Sequence, residues 1–252
     1  MAATDSSEFD IKFSLEENDS REVKAQLLIV FIKHLLHDRF QVPCTIDQIR
    51  SEAEEESSKA GQTKKTRLST DITKKRDKII TDLDILFKNL EELFHTTDVA
   101  SVVVIYGSTA VSPKESYILQ FDANSSNSFT LSSSNKENLC SSGLTNRLCR
   151  KLIRALISNP VLSKFQEIPL TPMLVFVSVP RTVKNSWFRP KPSFKVPWRG
   201  NCFRISVSSS SVQDFPSQSS DQDELIWMQA PITIKGFRLK VKEENSSSHF
   251  WS

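Results

Sequence analysis

Apolar residues recur at three- and four-residue steps through Val23, Leu27, Val30, Phe31 and Leu35, which predicts a core-facing helix capped by Ser20 and ending near Pro43. Thr45 with Gln48 three positions on forms a capping box for a short acidic helix, with Ile46 and Ile49 inward and Glu52, Glu54, Glu55 and Glu56 outward. Ile72, Ile79, Leu83, Leu86, Leu90 and Leu93 keep helical spacing, widened by Ile80, Phe87 and Phe94. That length makes this helix the expected centre of the domain. A further helix is predicted over about Leu144 to Ser158, with Leu148, Leu152, Ala155 and Leu156 on one face and Pro160 closing the region.

Between and after these helices the period changes. Val99 to Tyr106 is a β-branched run ended by Gly107, and Glu115 to Phe121 alternates after a Ser112-Pro113 turn. Met173 to Val179, Cys202 to Val207, Leu225 to Gln229 and Ile232 to Leu239 also read as strands. Helices first, then strands interrupted by one helix, predict an α+β fold around an antiparallel sheet. Polar, Ser- and Asn-rich stretches over 57–69, 122–142 and 208–222 are expected to be mobile loops, because they bury too little apolar area to offset their ordering entropy. Polar tails over 1–20 and 241–252 are expected to flank one domain at 21–240.

Composition narrows the functions available. With 252 residues and 38% hydrophobic content the chain can bury a sizeable core. No run of 18 apolar residues is present and the start is polar and acidic, so neither a membrane span nor a leader is expected, and the chain reads as intracellular. Five glycines, with no Walker A run and no G-x-G-x-x-G, leave little material for a phosphate-cradling loop. Cys44, Cys140, Cys149 and Cys202 are dispersed, which favours reduced thiols over a disulfide framework or a zinc cage. Cys149 lies among Arg147, Arg150 and Lys151, a setting for a depressed thiol pKa, yet no histidine can be placed beside it. His34 and His37 share a helix without a third ligand, and His95 suits a helix C-terminus. No catalytic residue, metal or cofactor is expected.

The net charge of +3 conceals strong segregation. Eight cations from Lys59 to Lys78 face only Asp71 and Asp77, a local charge of about +6. Arg181, Lys184, Arg189, Lys191, Lys195, Arg199 and Arg204 add about +7 with no intervening acid, which leaves about −10 elsewhere. Trp187, Phe188, Phe194, Trp198 and Phe203 interleave with this second segment. Those rings suit stacking on bases, the basis of an alternative reading as a single-stranded nucleic-acid-binding module. Pro190, Pro192 and Pro197 hold the segment extended, and alternation lets aromatics point inward while cations point out, which favours a protein-docking loop.

The runs Trp187-Phe188-Arg189-Pro190-Lys191, Phe194-Lys195-Val196-Pro197 and Arg199-Gly200 are similar to the signature of the comet family, which binds the checkpoint protein Mad-two. Ile32-Lys33-His34-Leu35-Leu36, Ser112-Pro113-Lys114-Glu115-Ser116-Tyr117, Ile226-Trp227-Met228-Gln229-Ala230-Pro231 and Lys235-Gly236-Phe237-Arg238 match in family order. The resemblance implies a HORMA-like fold: a central antiparallel sheet packed on three helices, with a C-terminal safety belt. It implies permanent self-closure by a strand bearing Ile232, Ile234 and Phe237. It further implies a non-enzymatic adaptor that binds closed Mad-two through Arg150, Ile153, Arg154 and Ile157, with His37 and Asp38 as a rim. Arg189, Pro190 and Lys191 would dock on the pachytene-checkpoint AAA+ ATPase. Through Mad-two the implied target is the mitotic checkpoint complex, in nucleus and cytoplasm and at the spindle and kinetochore in mitosis. Ile153 stands where the family pattern has an aromatic, and His37-Asp38-Arg39 is more charged than that pattern.

Overall fold

A computed structural model describes residues 8–15, 20–58, 67–121, 138–163, 168–209 and 225–239. In chain order these form β1 (Glu8–Leu15), α1 (Arg21–Asp38), α2 (Ile46–Ser58), α3 (Arg67–Thr96), β2 (Ser101–Gly107), β3 (Pro113–Phe121) and α4 (Asn138–Ile157). The one-turn α5 (Pro160–Ser163), β4 (Met173–Pro180), β5 (Arg189–Pro190), β6 (Asn201–Ser209) and β7 (Leu225–Gln229) follow. The seven strands make one sheet in the order β1-β6-β3-β2-β4-β7-β5. The α+β class holds, but the sheet is mixed: β6 runs parallel to both β1 and β3, whereas the other pairings are antiparallel.

Helices cover one face of this sheet. Val102, Val104 and Tyr106 of β2, Tyr117, Leu119 and Phe121 of β3, and Phe203, Ile205 and Val207 of β6 join the helix-side core. Strand alternation sends Val103, Ile105, Ile118, Leu174, Phe176 and Cys202 to the opposite face, where Phe194, Val196 and Trp227 pack on them. Each such side chain taken fully from water contributes about 1.5–3 kcal/mol. The middle of the second basic segment therefore lies on the outer face of the sheet, with Phe194 and Val196 turned down onto it.

The sandwiched helix is α1, not α3. It packs against both α3 and α4, and Leu28, Ile29, Ile32 and Leu36 are buried in addition to Val23, Leu27, Phe31 and Leu35. A helix apolar on nearly all sides seats in the interior, while the single stripe on α3 marks a helix at the outside. Ser20 Oγ accepts from the Val23 amide at 3.3 Å, and Gln48 and Thr45 exchange the two bonds of a capping box at 3.3 and 3.1 Å.

Two further expectations are corrected. Residues 8–15 are a strand rather than part of a tail: Phe9, Ile11 and Phe13 alternate with Asp10, Lys12 and Ser14, so one face of the strand can be buried. Phe9 stacks on Phe203 at 5.4 Å, and Lys151 of α4 reaches the Ser14 carbonyl at 3.4 Å. The segment Ile232–Leu239 is not a strand; its only bridge is Ile234 to Met173. It wraps instead, burying Ile234 and Phe237. Of the expected loops, residues 57–58, 67–69 and 138–142 are helical and 208–209 belong to β6, while 59–66, 122–137 and 210–222 lie outside the described residues, as does the tail over 241–252.

Candidate functional site

The end of α1 closes by a Schellman motif, in which the Gln41 amide donates to the Leu36 carbonyl at 2.9 Å and the Phe40 amide to the His37 carbonyl at 3.0 Å. The motif needs a left-handed residue, normally glycine, and here that residue is Phe40 with φ 52°. Its ring is 56% exposed. Arg39 and Gln41 on either side point inward. The Arg39 guanidinium donates to Tyr117 Oη at 2.7 Å, lies 3.1 Å from the Glu115 carboxylate, and reaches the Leu162 carbonyl of α5 at 3.4 Å. Tyr117 Oη in turn donates to Glu115 at 2.6 Å. Burial pushes the Glu115 carboxyl above its usual range, opposed by Arg39 and by the tyrosine hydroxyl. This buried network joins the ends of α1 and α4 through α5.

Gln41 is fully buried and performs a second fastening. Its Nε2 donates to the Arg39 and Ile168 carbonyls at 2.8 and 3.3 Å, its Oε1 accepts from the Thr171 amide at 2.8 Å, and its carbonyl accepts from the Phe237 amide at 2.9 Å. The C-terminal segment is thus held against the turn after α1. A Cβ on Gly236 would stand 2.0 Å from the Gln41 carbonyl oxygen, so only glycine permits this approach.

On α4, Arg150, Ile153, Arg154 and Ile157 fall at spacings of three and four and share one side of the helix. Arg150 and Arg154 are exposed, and Ile157 is 64% exposed. Ile153 differs: it is half-buried and packs against the core. His37 is exposed and Asp38 half-buried at the end of α1, with the Asp38 carboxylate 3.6 Å from Arg39. The apolar group missed by sequence reading is Phe40. A signal existed, since helices commonly end on a left-handed residue and this one must end before Pro43, but an aromatic is an unusual choice there.

Arg189 and Pro190 form the whole of β5, paired with Gln229 and Met228 at the sheet edge, and the Lys191 amide donates to the Trp227 carbonyl at 2.7 Å. Proline is tolerated because an edge strand leaves one row of donors unused. All three side chains point to solvent. Behind them, Asn185 Oδ1 accepts from the Trp187 and Phe188 amides at 2.8 Å, and Phe188 is buried. The turn is rigid and its cations are free of described carboxylates.

The chemistry-bearing residues elsewhere are structural. Cys149 is buried and burial pushes its thiol up, opposite to an activated nucleophile. Burial raises Cys44 too, with Glu52 adding to the effect. His34 is half-buried, and burial lowers its pKa. His95 stands 3.6 Å from Glu22. Among the described residues no three His, Cys, Asp or Glu side chains are grouped to hold a metal.

Two rigid, exposed faces on an α+β domain, one helical and one at a sheet edge, are the features of an interaction module. The family described as "p31comet: Mad1 and Cdc20-bound-Mad2 binding" matches residues 15–239, and the chain belongs to it. Among curated relatives, MAD2L1-binding protein of Homo sapiens is 30% identical over 223 residues, covering 87% of this chain and 76% of the human protein. MAD2L1-binding protein of Mus musculus is 29% identical over 226 residues, 86% of this chain and 75% of the mouse protein.

Proposed function

We propose that this chain is a non-enzymatic adaptor that binds closed Mad2 on the outer side of α4. The reading continues that it presents Mad2 to the pachytene-checkpoint AAA+ ATPase through Arg189, Pro190 and Lys191, so that the mitotic checkpoint complex is dismantled and the checkpoint silenced. The single observation that carries it is Ile157: a large apolar side chain 64% exposed, flanked on the same helix side by exposed Arg150 and Arg154. Apolar anchors beside arginine are the composition of interface hot spots. Phe40, His37 and Asp38, tied to α4 through Arg39 and Leu162, supply a rim.

A HORMA-like reading of the fold fits this role. Residues 232–239 take the part of a safety belt that is closed on itself, supported by the Met173–Ile234 bridge and the Gln41–Phe237 bond. The proposed sites of action are nucleus and cytoplasm, with spindle and kinetochore in mitosis. Single-stranded nucleic-acid binding is the weaker reading, because of the five aromatics in the basic segment only Trp198 is exposed.

Ile157→Asp is the deciding variant. It is expected to abolish binding of closed Mad2 in titration calorimetry while changing stability by no more than about 0.5 kcal/mol, as for other exposed positions. Unchanged affinity would remove α4 from the interface. Ile153→Asp is a poorer probe: its side chain packs on the core, so a loss of binding there would be mixed with unfolding.

A further inference from the structure

Beside the Arg189–Lys191 turn a trough of about 550 Å³ opens on the outer face of the sheet. Its floor is Phe194, stacked on Phe176 with ring centroids 4.0 Å apart and set edge-on to Trp227 at 5.1 Å. One wall is Val111, in the turn between β2 and β3, and the other is Trp198; the two are 80% and 71% exposed. Lys191, Lys195 and Arg199 line the same trough. All three are exposed and none pairs with a described carboxylate.

The trough is built into the backbone. Gly200 has φ +78°, and a Cβ there would stand 2.9 Å from the Pro113 and Lys114 carbonyl oxygens. That close approach holds the 196–200 chain directly on the start of β3, which sets the Val111 turn opposite Trp198. The Arg199 guanidinium lies over the Trp198 ring at 5.0 Å.

We propose that this trough is a second contact for the AAA+ ATPase, receiving an acidic segment that carries one large apolar side chain. The inference rests on the reading of Arg189, Pro190 and Lys191 as the ATPase-docking turn, with which the trough is continuous through Lys191. The apolar group inserts between Val111 and Trp198 over Phe194, and its flanking carboxylates meet Lys195 and Arg199. Both halves of the trough are then satisfied at once: two large apolar groups otherwise left in water, and cations that pair with no described carboxylate. A nucleic-acid strand would meet the cations but find a single exposed ring, Trp198, to stack on. Stacking along a strand needs successive rings, whereas Phe188 and Phe203 are buried and Phe194 is held between Phe176 and Trp227.

The test compares three full-chain variants, each at exposed positions: Trp198→Ala, the pair Lys195→Glu with Arg199→Glu, and the pair Pro190→Ala with Lys191→Ala. Affinity for the full-length ATPase is measured alongside affinity for closed Mad2. Trp198→Ala and the charge reversal are each expected to weaken ATPase binding about tenfold, a loss typical of an interface anchor, and to spare Mad2 binding. The charge reversal should also flatten the salt dependence. If Pro190→Ala with Lys191→Ala loses binding while either trough variant retains it, the docking turn stands and the trough proposal is overturned. If the unaltered chain does not bind, or all three variants bind like it, the docking reading falls as well. Binding of a single-stranded oligothymidylate that disappears with Trp198→Ala would reassign the trough to nucleic acid and overturn the proposal.

Discussion

Phe40 occupies a backbone conformation that costs a side-chain-bearing residue about 1–2 kcal/mol relative to glycine, and it does so with its ring largely in water. Strain retained at an exposed aromatic beside His37 and Asp38 points to use at an interface. Replacing Phe40 by glycine and by alanine separates the two effects, since both remove the ring but only glycine removes the strain. Phe40→Gly is expected to be more stable than Phe40→Ala by about 1 kcal/mol in chemical denaturation, and both should weaken Mad2 binding. Arg39 tests the opposite kind of residue. Arg39→Leu strands the buried Glu115 carboxylate and should lose about 3–5 kcal/mol of stability. The pH dependence has a definite sign. Glu115 already binds its proton at higher pH than an unfolded glutamate, and without Arg39 it does so more strongly. The folded variant then gains stability as pH falls through that raised value, so its deficit is largest at neutral pH and narrows on acidification. A deficit that widens in acid would contradict this account.

At the scale of elements, periodicity made most of the secondary structure readable. The Leu83, Leu86, Leu90 and Leu93 stripe lies on α3 and the alternation after Pro113 lies on β3, because each element has one face set by water and one by the core. Reading failed where long-range partners decide. β1 carries a legible alternation at Phe9, Ile11 and Phe13, yet the edge of β6 that receives it is specified far away in the chain. Residues 232–239 carry a strand-like pattern, but past Ile234 the chain is diverted by the bond from the Phe237 amide to the carbonyl of Gln41, a buried polar residue that no local pattern marks. Gly236→Ala probes this fastening. Its added Cβ meets backbone rather than a movable side chain, so the expected cost is about 2–3 kcal/mol. The loss should fall on the segment itself, and hydrogen exchange should show faster exchange at the Ile234 amide while α3 stays protected.

Across the whole molecule, the groups proposed to face Mad2 and the ATPase lie on different layers. Arg150, Arg154 and Ile157 belong to the helical layer, while Arg189, Pro190 and Lys191 belong to the far edge of the sheet. An adaptor with separate faces should lose its functions independently. Pro190→Ala with Lys191→Ala is expected to leave Mad2 affinity within about twofold, as for sites without shared partners, and to stop ATPase-coupled opening of Mad2. Undiminished conversion by that variant would refute the docking role. The candidate site was legible to the extent that charge runs and the comet-like motifs named these groups. What sequence could not supply was exposure: Ile153 and Ile157 look alike in the pattern, and only packing shows that Ile153 leans on the core while Ile157 does not.

The parallel pairing of β1 also fixes an order of events as the chain is made. Glu8 pairs with Cys202, so β1 has no partner until the chain has been made through β6, nearly two hundred residues later. At ordinary elongation rates that interval is roughly ten to forty seconds. The α1–α3 pair and the β2–β3 hairpin, both complete by Phe121, can form during that time, whereas β1 must wait with Phe9 and Phe13 uncovered. The sheet is therefore built outward from the β2–β3 hairpin: β1, early in the chain and at an edge of the sheet, is among the last strands to be placed.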